Sequence, residues 1–189
     1  MIREVTYFES KGKENTPACV EIVKKLVAQG SRSVAVASTS GETGLAFAEA
    51  LSSERVNLVV VTHSTGFKAP NEQEASKASL DRIRELGGKV FTGTILTHSL
   101  ESALMQEHGG IYPAYIITQT LRRFSQGVKV AVEIVMEAVD AGLLPEGEEV
   151  IAVGGTGRGA DTVLIVKSAA SKRFFDLKVL EIVAKPRLG

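Results

Sequence analysis

The chain has little cysteine, no tryptophan and no net charge, and these shortages exclude several classes of protein. Among its 189 residues Cys19 is the single cysteine, so neither an intramolecular disulfide nor a cysteine-based metal cluster can form. The three histidines lack the i, i+4 spacing of a helical zinc site, and we expect no metal. The formal net charge is zero and no basic stripe occurs, which argues against a nucleic-acid partner.

Long apolar runs are also absent from the sequence. No stretch approaches the roughly 18 residues of a membrane-spanning helix, and the N-terminus lacks a charged segment followed by an apolar one. We therefore expect no membrane partner and a cytoplasmic location. The length suits a single domain over residues 1–189, and 44% hydrophobic residues are enough for a buried core.

Short apolar runs alternate with segments of helical periodicity. Strands are predicted at 33–37, 57–62, 89–92 and 150–153, and helices at 18–29, 42–53, 72–86, 99–107, 113–124 and 126–141. Two later β-rich segments, 161–166 and 177–183, have no long helix between them, which predicts an antiparallel edge. The predicted fold is a three-layer α/β domain, with a mostly parallel sheet, helices on both faces and an antiparallel C-terminal edge.

The strand at 150–153 is followed by a glycine-rich loop, Gly154–Thr162. Glycine lets the backbone turn sharply and approach a ligand, and exposed N–H groups beside hydroxyls suit an anion. The pattern G-x-G-x-x-A begins at Gly155, but a predicted strand follows it instead of a helix, which disfavours a dinucleotide site. The predicted ligand contacts in this loop are Gly154, Gly155, Thr156, Gly157 and Arg158.

A second loop, Ser38–Gly44, follows the strand at 33–37 and leads into a helix, whose N-terminus favours anions. A third loop, 62–67, is also rich in Ser, Thr and Gly. Because the carboxyl ends of parallel strands meet at one edge of a sheet, the three loops predict one pocket for a phosphate-bearing small molecule. The contacts predicted here are Ser38, Thr39, Ser40, Gly41 and Thr43 around the phosphate, with Asn15, Thr62 and His63 facing the same cleft.

The sequence allows two roles for several of these side chains. Arg158 can pair with a ligand phosphate or carboxylate, or it can form an ion pair with Asp161. His63 stands at a strand end suited to acid–base chemistry, although capping the loop is its more common role. Lys129 and Glu133 lie one helical turn apart and are interpreted as a surface ion pair. The alternative function is an enzyme that acts on a phosphorylated metabolite or uses bound flavin, with His63 as acid or base.

The segment Val34–Ala50, with Ser38–Gly44 at its centre, resembles the C-terminal domain of pyruvate kinase. In that domain a Thr/Ser-rich loop between a strand and a helix cradles the phosphate of an allosteric sugar bisphosphate. Nearly the whole chain is similar to a family of stand-alone archaeal and bacterial proteins with this domain. The segments that carry this resemblance are 13–16, 38–44, 61–63, 124–130, 154–162 and 174–178.

The resemblance implies the same fold and nucleotide binding, with FMN as the candidate cofactor. Its phosphate would contact the N–H-rich turns and its flat ring would lie against Phe67 or neighbouring apolar walls. The chain is too short for the catalytic barrel of pyruvate kinase, so we expect no pyruvate kinase activity. Separately, the β-rich C-terminal segment would present an unpaired strand edge, which favours a homo-oligomer.

Overall fold

The structure, a computed structural model, describes residues 2–188 and contains a seven-stranded sheet between two layers of helices. The strands are β1 (Thr6–Phe8), β2 (Ser33–Ala37), β3 (Asn57–Thr62), β4 (Lys89–Thr92), β5 (Glu149–Gly154), β6 (Thr162–Lys167) and β7 (Lys178–Pro186). The helices are α1 (Thr16–Ala28), α2 (Glu42–Ala50), α3 (Lys77–Glu85), α4 (Leu100–His108), α5 (Pro113–Leu121) and α6 (Gln126–Asp140). Short 3-10 helices occupy Lys13–Asn15 and Ser171–Asp176.

The strand order in the sheet is β1-β7-β6-β5-β2-β3-β4, and of these strands only β6 runs antiparallel to its neighbours. The predicted α/β fold, with a mostly parallel sheet and an antiparallel C-terminal part, is confirmed. Val34 of β2 pairs with Leu58 of β3 and with Ile151 of β5, so these three strands run side by side. Their carboxyl ends therefore lie next to one another.

Two apolar cores explain why the central strands are apolar on both faces. One face of the sheet packs against α1, α2 and α3 through fully buried side chains such as Val23, Phe47 and Ile83. The other face packs against α6, of which residues 131–138 are all buried. Each fully buried side chain of this size stabilises the fold by roughly 1.5–3 kcal/mol. Cys19 lies in the first core, and burial raises the pKa of its thiol to about 12.

Several elements differ from the sequence prediction: α2 and α5 each end three residues earlier and β7 ends three residues later than predicted, and β1 and α3 differ most. β1 was not predicted, because it is only three residues long and largely exposed and so leaves no apolar pattern. α3 begins at Lys77 and not at residue 72: the hydroxyl of Ser76 caps its first turn. The N–H of Ser76 also donates to the carbonyl of Ser40 at 3.0 Å, which ties the start of α3 to the loop after β2.

β7 is not the outermost strand, because β1 pairs with its last residues, Ala184–Pro186. Within the described residues this pairing does not extend over 178–183, so part of the outer edge of β7 is uncovered. A homo-oligomer stays a prediction. None of the helices in residues 2–188 is long and apolar enough to cross a bilayer.

Candidate functional site

A cavity of about 650 Å³ lies at the carboxyl ends of β2, β3 and β5. This volume is typical of sites that bind small ligands. The three loops that the sequence predicted to meet all contribute to its lining, through Ser38, His63 and Gly155 among others. The N-terminal segment adds Lys13 and Thr16, because β1 also ends at this edge.

The loop after β2 turns sharply at Gly41, whose φ of 91° is left-handed, and leads into the nine-residue helix α2. The hydroxyl of Ser38 accepts the N–H of Gly44 at 2.9 Å, which fixes the turn. Among residues 2–188, no acceptor bonds the backbone N–H groups of Thr39, Ser40, Gly41 and Thr43. Free donors at the N-terminus of a helix are the arrangement that binds phosphate.

The glycines of the loop after β5 mainly allow backbone segments to touch. A Cβ on Gly154 would lie 2.2 Å from the carbonyl oxygen of Gly127 in α6. A Cβ on Gly155 would lie 2.2 Å from the carbonyl oxygen of Gly159, and one on Gly159 would lie 2.4 Å from the Cα of Lys13. Three of these glycines therefore serve close packing of the backbone.

Asp161 holds this loop in place. Its fully buried carboxylate accepts the N–H of Gly12 at 2.9 Å, the N–H of Thr156 at 3.1 Å and the hydroxyl of Thr162 at 2.9 Å. The alternative ion pair with Arg158 is not formed: within residues 2–188, Arg158 makes no ion pair, and it lines the cavity. Asp161 thus anchors the loop, while Arg158 of the same loop lines the cavity.

Most of the predicted ligand contacts line the cavity: Ser38, Thr39, Ser40, Thr43, His63, Gly155, Gly157 and Arg158. Others are not among its lining residues: Asn15, Gly41, Thr62, Gly154 and Thr156. The amide of Asn15 donates to backbone carbonyls, including that of Ser10 at 2.9 Å, and the hydroxyl of Thr62 bonds that of Thr92 at 2.7 Å. Contact of any of these residues with a ligand stays a prediction.

His63 is oriented by a carboxylate. Its Nδ1 lies 2.7 Å from Oε1 of Glu74, and its Nε2 lies 3.4 Å from the hydroxyl of Thr39. A carboxylate at Nδ1 favours the N–H there and leaves Nε2 free to accept a proton. The ring of Phe67 lies beside it, 4.4 Å from His63 and 6.3 Å from His98 between ring centroids.

The interpretation of Lys129 and Glu133 as a surface pair is wrong. Their side chains are only 3% and 6% exposed, and the Lys129 ammonium donates to Glu133 at 2.5 Å. The segment after β4 covers them, because the N–H groups of Thr97 and Leu96 donate to Glu133 at 2.9 Å and to Glu137 at 3.1 Å. Lys129, Glu133 and Glu137, which we call the α6 row, all line the cavity.

Burial changes the acidity of the α6 row. Burial, and after it the carboxylate of Glu133, raise the pKa of Glu137 to about 8. Burial lowers the pKa of Lys129, although Glu133 acts in the opposite direction. Burial and then Lys129 lower the pKa of His98, whose Nδ1 is 3.5 Å from the Lys129 ammonium. A sequence signal for this row existed: three ionisable residues at i, i+4 and i+8, with mainly apolar residues between them.

Positive groups approach the cavity from several elements. Lys13, Arg122 and Arg158 all line it, and Nε of Arg122 donates to the Gln126 amide at 2.6 Å. A second cavity of about 490 Å³ shares Phe67, His98 and Arg122 with the first. The two spaces are therefore neighbours, and Phe67 stands between them.

The sequence profile of one protein family, described as "Pyruvate kinase, alpha/beta domain", matches residues 17–166. That range covers most of the chain and contains β2 to β5, all six helices beyond the first residue of α1, and most of β6. The chain belongs to this family. The pyruvate kinase alpha/beta domain accordingly includes the loops after β2, β3 and β5 and the α6 row, whereas Lys13 and Thr16 precede the matched range.

Proposed function

We propose that this pyruvate kinase alpha/beta domain binds a phosphate-bearing small molecule, with the phosphate at the N-terminus of α2. The observation that carries this proposal is the set of free backbone N–H groups at Thr39, Ser40, Gly41 and Thr43, beside a cavity large enough for a ligand. Hydroxyls of the same loop add donors, and the helix dipole favours a negative charge there.

Charge in the cavity lining supports the same position for the phosphate. Lys13 and Arg158 can pair with phosphate oxygens, and arginine can do so with two parallel hydrogen bonds. Glu42, in the first turn of α2, opposes an anion, but it is exposed to solvent, which weakens the repulsion.

FMN is the candidate ligand, and the residues present fit it. The α2 loop would hold its single phosphate, and the cavity volume is in the range that such a ligand needs. Phe67, His63 and His98 offer flat rings against which its aromatic ring system could stack. When bound, FMN would supply hydride or electron transfer. We include a cytoplasmic location in the proposal, supported by the low cysteine content.

The phosphate site can be tested with inorganic phosphate by isothermal titration calorimetry. In Ser40→Asp the carboxylate would cap the free N–H groups and repel the anion, by about 4 kcal/mol for charges 4 Å apart at an effective dielectric of about 20. We expect at least a hundredfold loss of affinity. Ser53→Asp, at an exposed position beyond the other end of α2, is the matched control and should bind like wild type. Equal phosphate affinity of wild type, Ser40→Asp and Ser53→Asp would refute the α2 site.

The flavin assignment needs its own test. The visible absorption spectrum of freshly purified protein, with mass spectrometry of the molecules released on denaturation, detects bound flavin. Protein that is colourless and does not take up added FMN would eliminate FMN and leave the phosphate site standing.

An enzyme remains the second candidate function, because Glu74 orients His63 beside the Thr39 hydroxyl at the edge of the cavity. On that account Nε2 of His63 accepts or returns a proton of a phosphorylated metabolite. A metabolite screen with wild type and His63→Ala tests it. Equal activity of the two proteins would remove His63 from any catalytic role.

A further inference from the structure

Glu137 has one carboxylate oxygen that the fold does not use. The residue is 4% exposed, and its Oε1 accepts the N–H of Leu96 at 3.1 Å. Its Oε2 makes no hydrogen bond with residues 2–188, whereas both oxygens of Glu133 are bonded, to Thr97 and to Lys129. Glu137 lines the cavity, so this oxygen is available to a ligand bound there.

The surroundings keep this carboxyl neutral near neutral pH. The charged groups that face it are Glu133, Lys129 and Asp140 on its own helix, with His98 in the segment that covers α6. The sheet face packed against α6 contributes apolar side chains such as Val61. With the pKa of Glu137 at about 8, the carboxyl carries a proton at pH 7 and can donate a hydrogen bond.

We propose that Glu137, backed by Lys129 and Glu133, forms a second subsite that binds a neutral hydrogen-bond acceptor on the same ligand. The acceptor is a carbonyl oxygen or a ring nitrogen; an anionic group is disfavoured because the Glu133 carboxylate lies one turn away. This inference rests on the proposed function and narrows its ligand class. The ligand has a phosphate at one end and a carbonyl or ring nitrogen at the other.

FMN carries such acceptors and serves as the probe. Its affinity is measured by calorimetry between pH 6.5 and 9.5 for wild type, Glu137→Gln and Glu137→Met. Above pH 8 we expect wild-type affinity to fall up to tenfold per pH unit, because an ionised Glu137 has no proton to donate. Glu137→Gln keeps an N–H donor and should flatten this fall. Glu137→Met has no donor and should bind about tenfold more weakly at pH 7.

Two controls separate this subsite from the phosphate site. Glu149→Gln removes an exposed carboxylate at the start of β5, at the opposite edge of the sheet, and should keep the wild-type pH profile. Inorganic phosphate should bind equally to all four proteins at each pH, since it occupies only the α2 site.

Each other outcome overturns the inference. FMN binding that is the same in both Glu137 variants as in wild type refutes the subsite and leaves the phosphate site intact. If inorganic phosphate binds and FMN does not, the Glu137 subsite is likewise refuted and the phosphate site stands. If neither molecule binds, the proposed function fails and the subsite fails with it.

Discussion

The loop after β2 and the loop after β5 end at the same edge of the sheet and are built from the same residue types, but they are used differently. Within residues 39–43 the N–H groups of Thr39, Ser40, Gly41 and Thr43 have no acceptor among residues 2–188, and all of these residues except Gly41 line the cavity. At 154–160 the glycines make room for neighbouring backbone and Asp161 accepts the N–H of Thr156, although the N–H groups of Gly155, Gly157 and Gly159 also have no acceptor among residues 2–188. The loops differ in the element that follows them: the donors at 39–43 stand at the N-terminus of α2, whose dipole favours an anion, whereas a strand follows the glycine loop. Composition alone does not identify an anion-binding loop.

Gly154→Ala should have the largest effect on stability. Its methyl group would lie 2.2 Å from the Gly127 carbonyl oxygen, so α6 must shift, at a cost of about 3 kcal/mol. Gly157→Ala is the matched control: its φ is 75° but no atom lies within 4 Å, so we expect a loss of about 1 kcal/mol. Urea unfolding measures both. Equal losses of unfolding free energy in Gly154→Ala and Gly157→Ala would mean that the glycine loop is not a packing element.

Asp161→Asn should come next, because the buried carboxylate receives two backbone N–H groups and one hydroxyl. Losing its charge should lower the free energy of unfolding by about 2 kcal/mol. Phosphate affinity should change little once the protein is folded. A hundredfold loss of affinity at unchanged stability would instead place Asp161 in contact with the ligand.

Lys13→Gln should lower phosphate affinity about fivefold, which corresponds to the roughly 1 kcal/mol of one exposed charge near the anion. The loss should shrink as salt is raised, because salt screens exposed charges. Lys11→Gln is the control, since Lys11 is exposed on the same segment and does not line the cavity. The same loss in both variants would indicate a general effect of net charge.

The smallest effect is expected for Thr156→Val. The Thr156 hydroxyl is buried and bonded to no residue in 2–188, so its removal should change stability by less than about 1 kcal/mol and leave phosphate affinity unchanged. Thr43→Val removes a hydroxyl that lines the cavity at α2 and should weaken phosphate binding several-fold. A larger loss of phosphate affinity in Thr156→Val than in Thr43→Val would reverse the roles assigned to the two loops.

The sequence was sufficient to predict the central strands and the position of the loops. The bounds of β2, β3 and β4 agree with the prediction, because short apolar runs between turn residues have few other interpretations. The strand after Gly154–Thr162 was also predicted, and it removed the dinucleotide interpretation. The three-residue β1 carries no apolar pattern and so escaped prediction.

The parts of the site that were missed depend on tertiary contacts. Lys129 and Glu133 have the spacing of an exposed ion pair; the apolar residues around them in α6 hint at burial, and the segment that donates from Leu96 and Thr97 is what covers them. The packing role of Gly154 depends on Gly127, which is 27 residues earlier in the chain. Neither partner can be identified from local sequence patterns.

The central claim is that the α2 loop, and not the glycine loop, holds the phosphate. The most direct measurement is a titration of ¹⁵N-labelled protein with inorganic phosphate, followed by NMR of the backbone amides. The account predicts that the largest shifts occur at Thr39, Ser40, Gly41 and Thr43, with smaller ones at Gly155 and Gly159. Largest shifts at Gly155 and Gly159, with little change at 39–43, would contradict it.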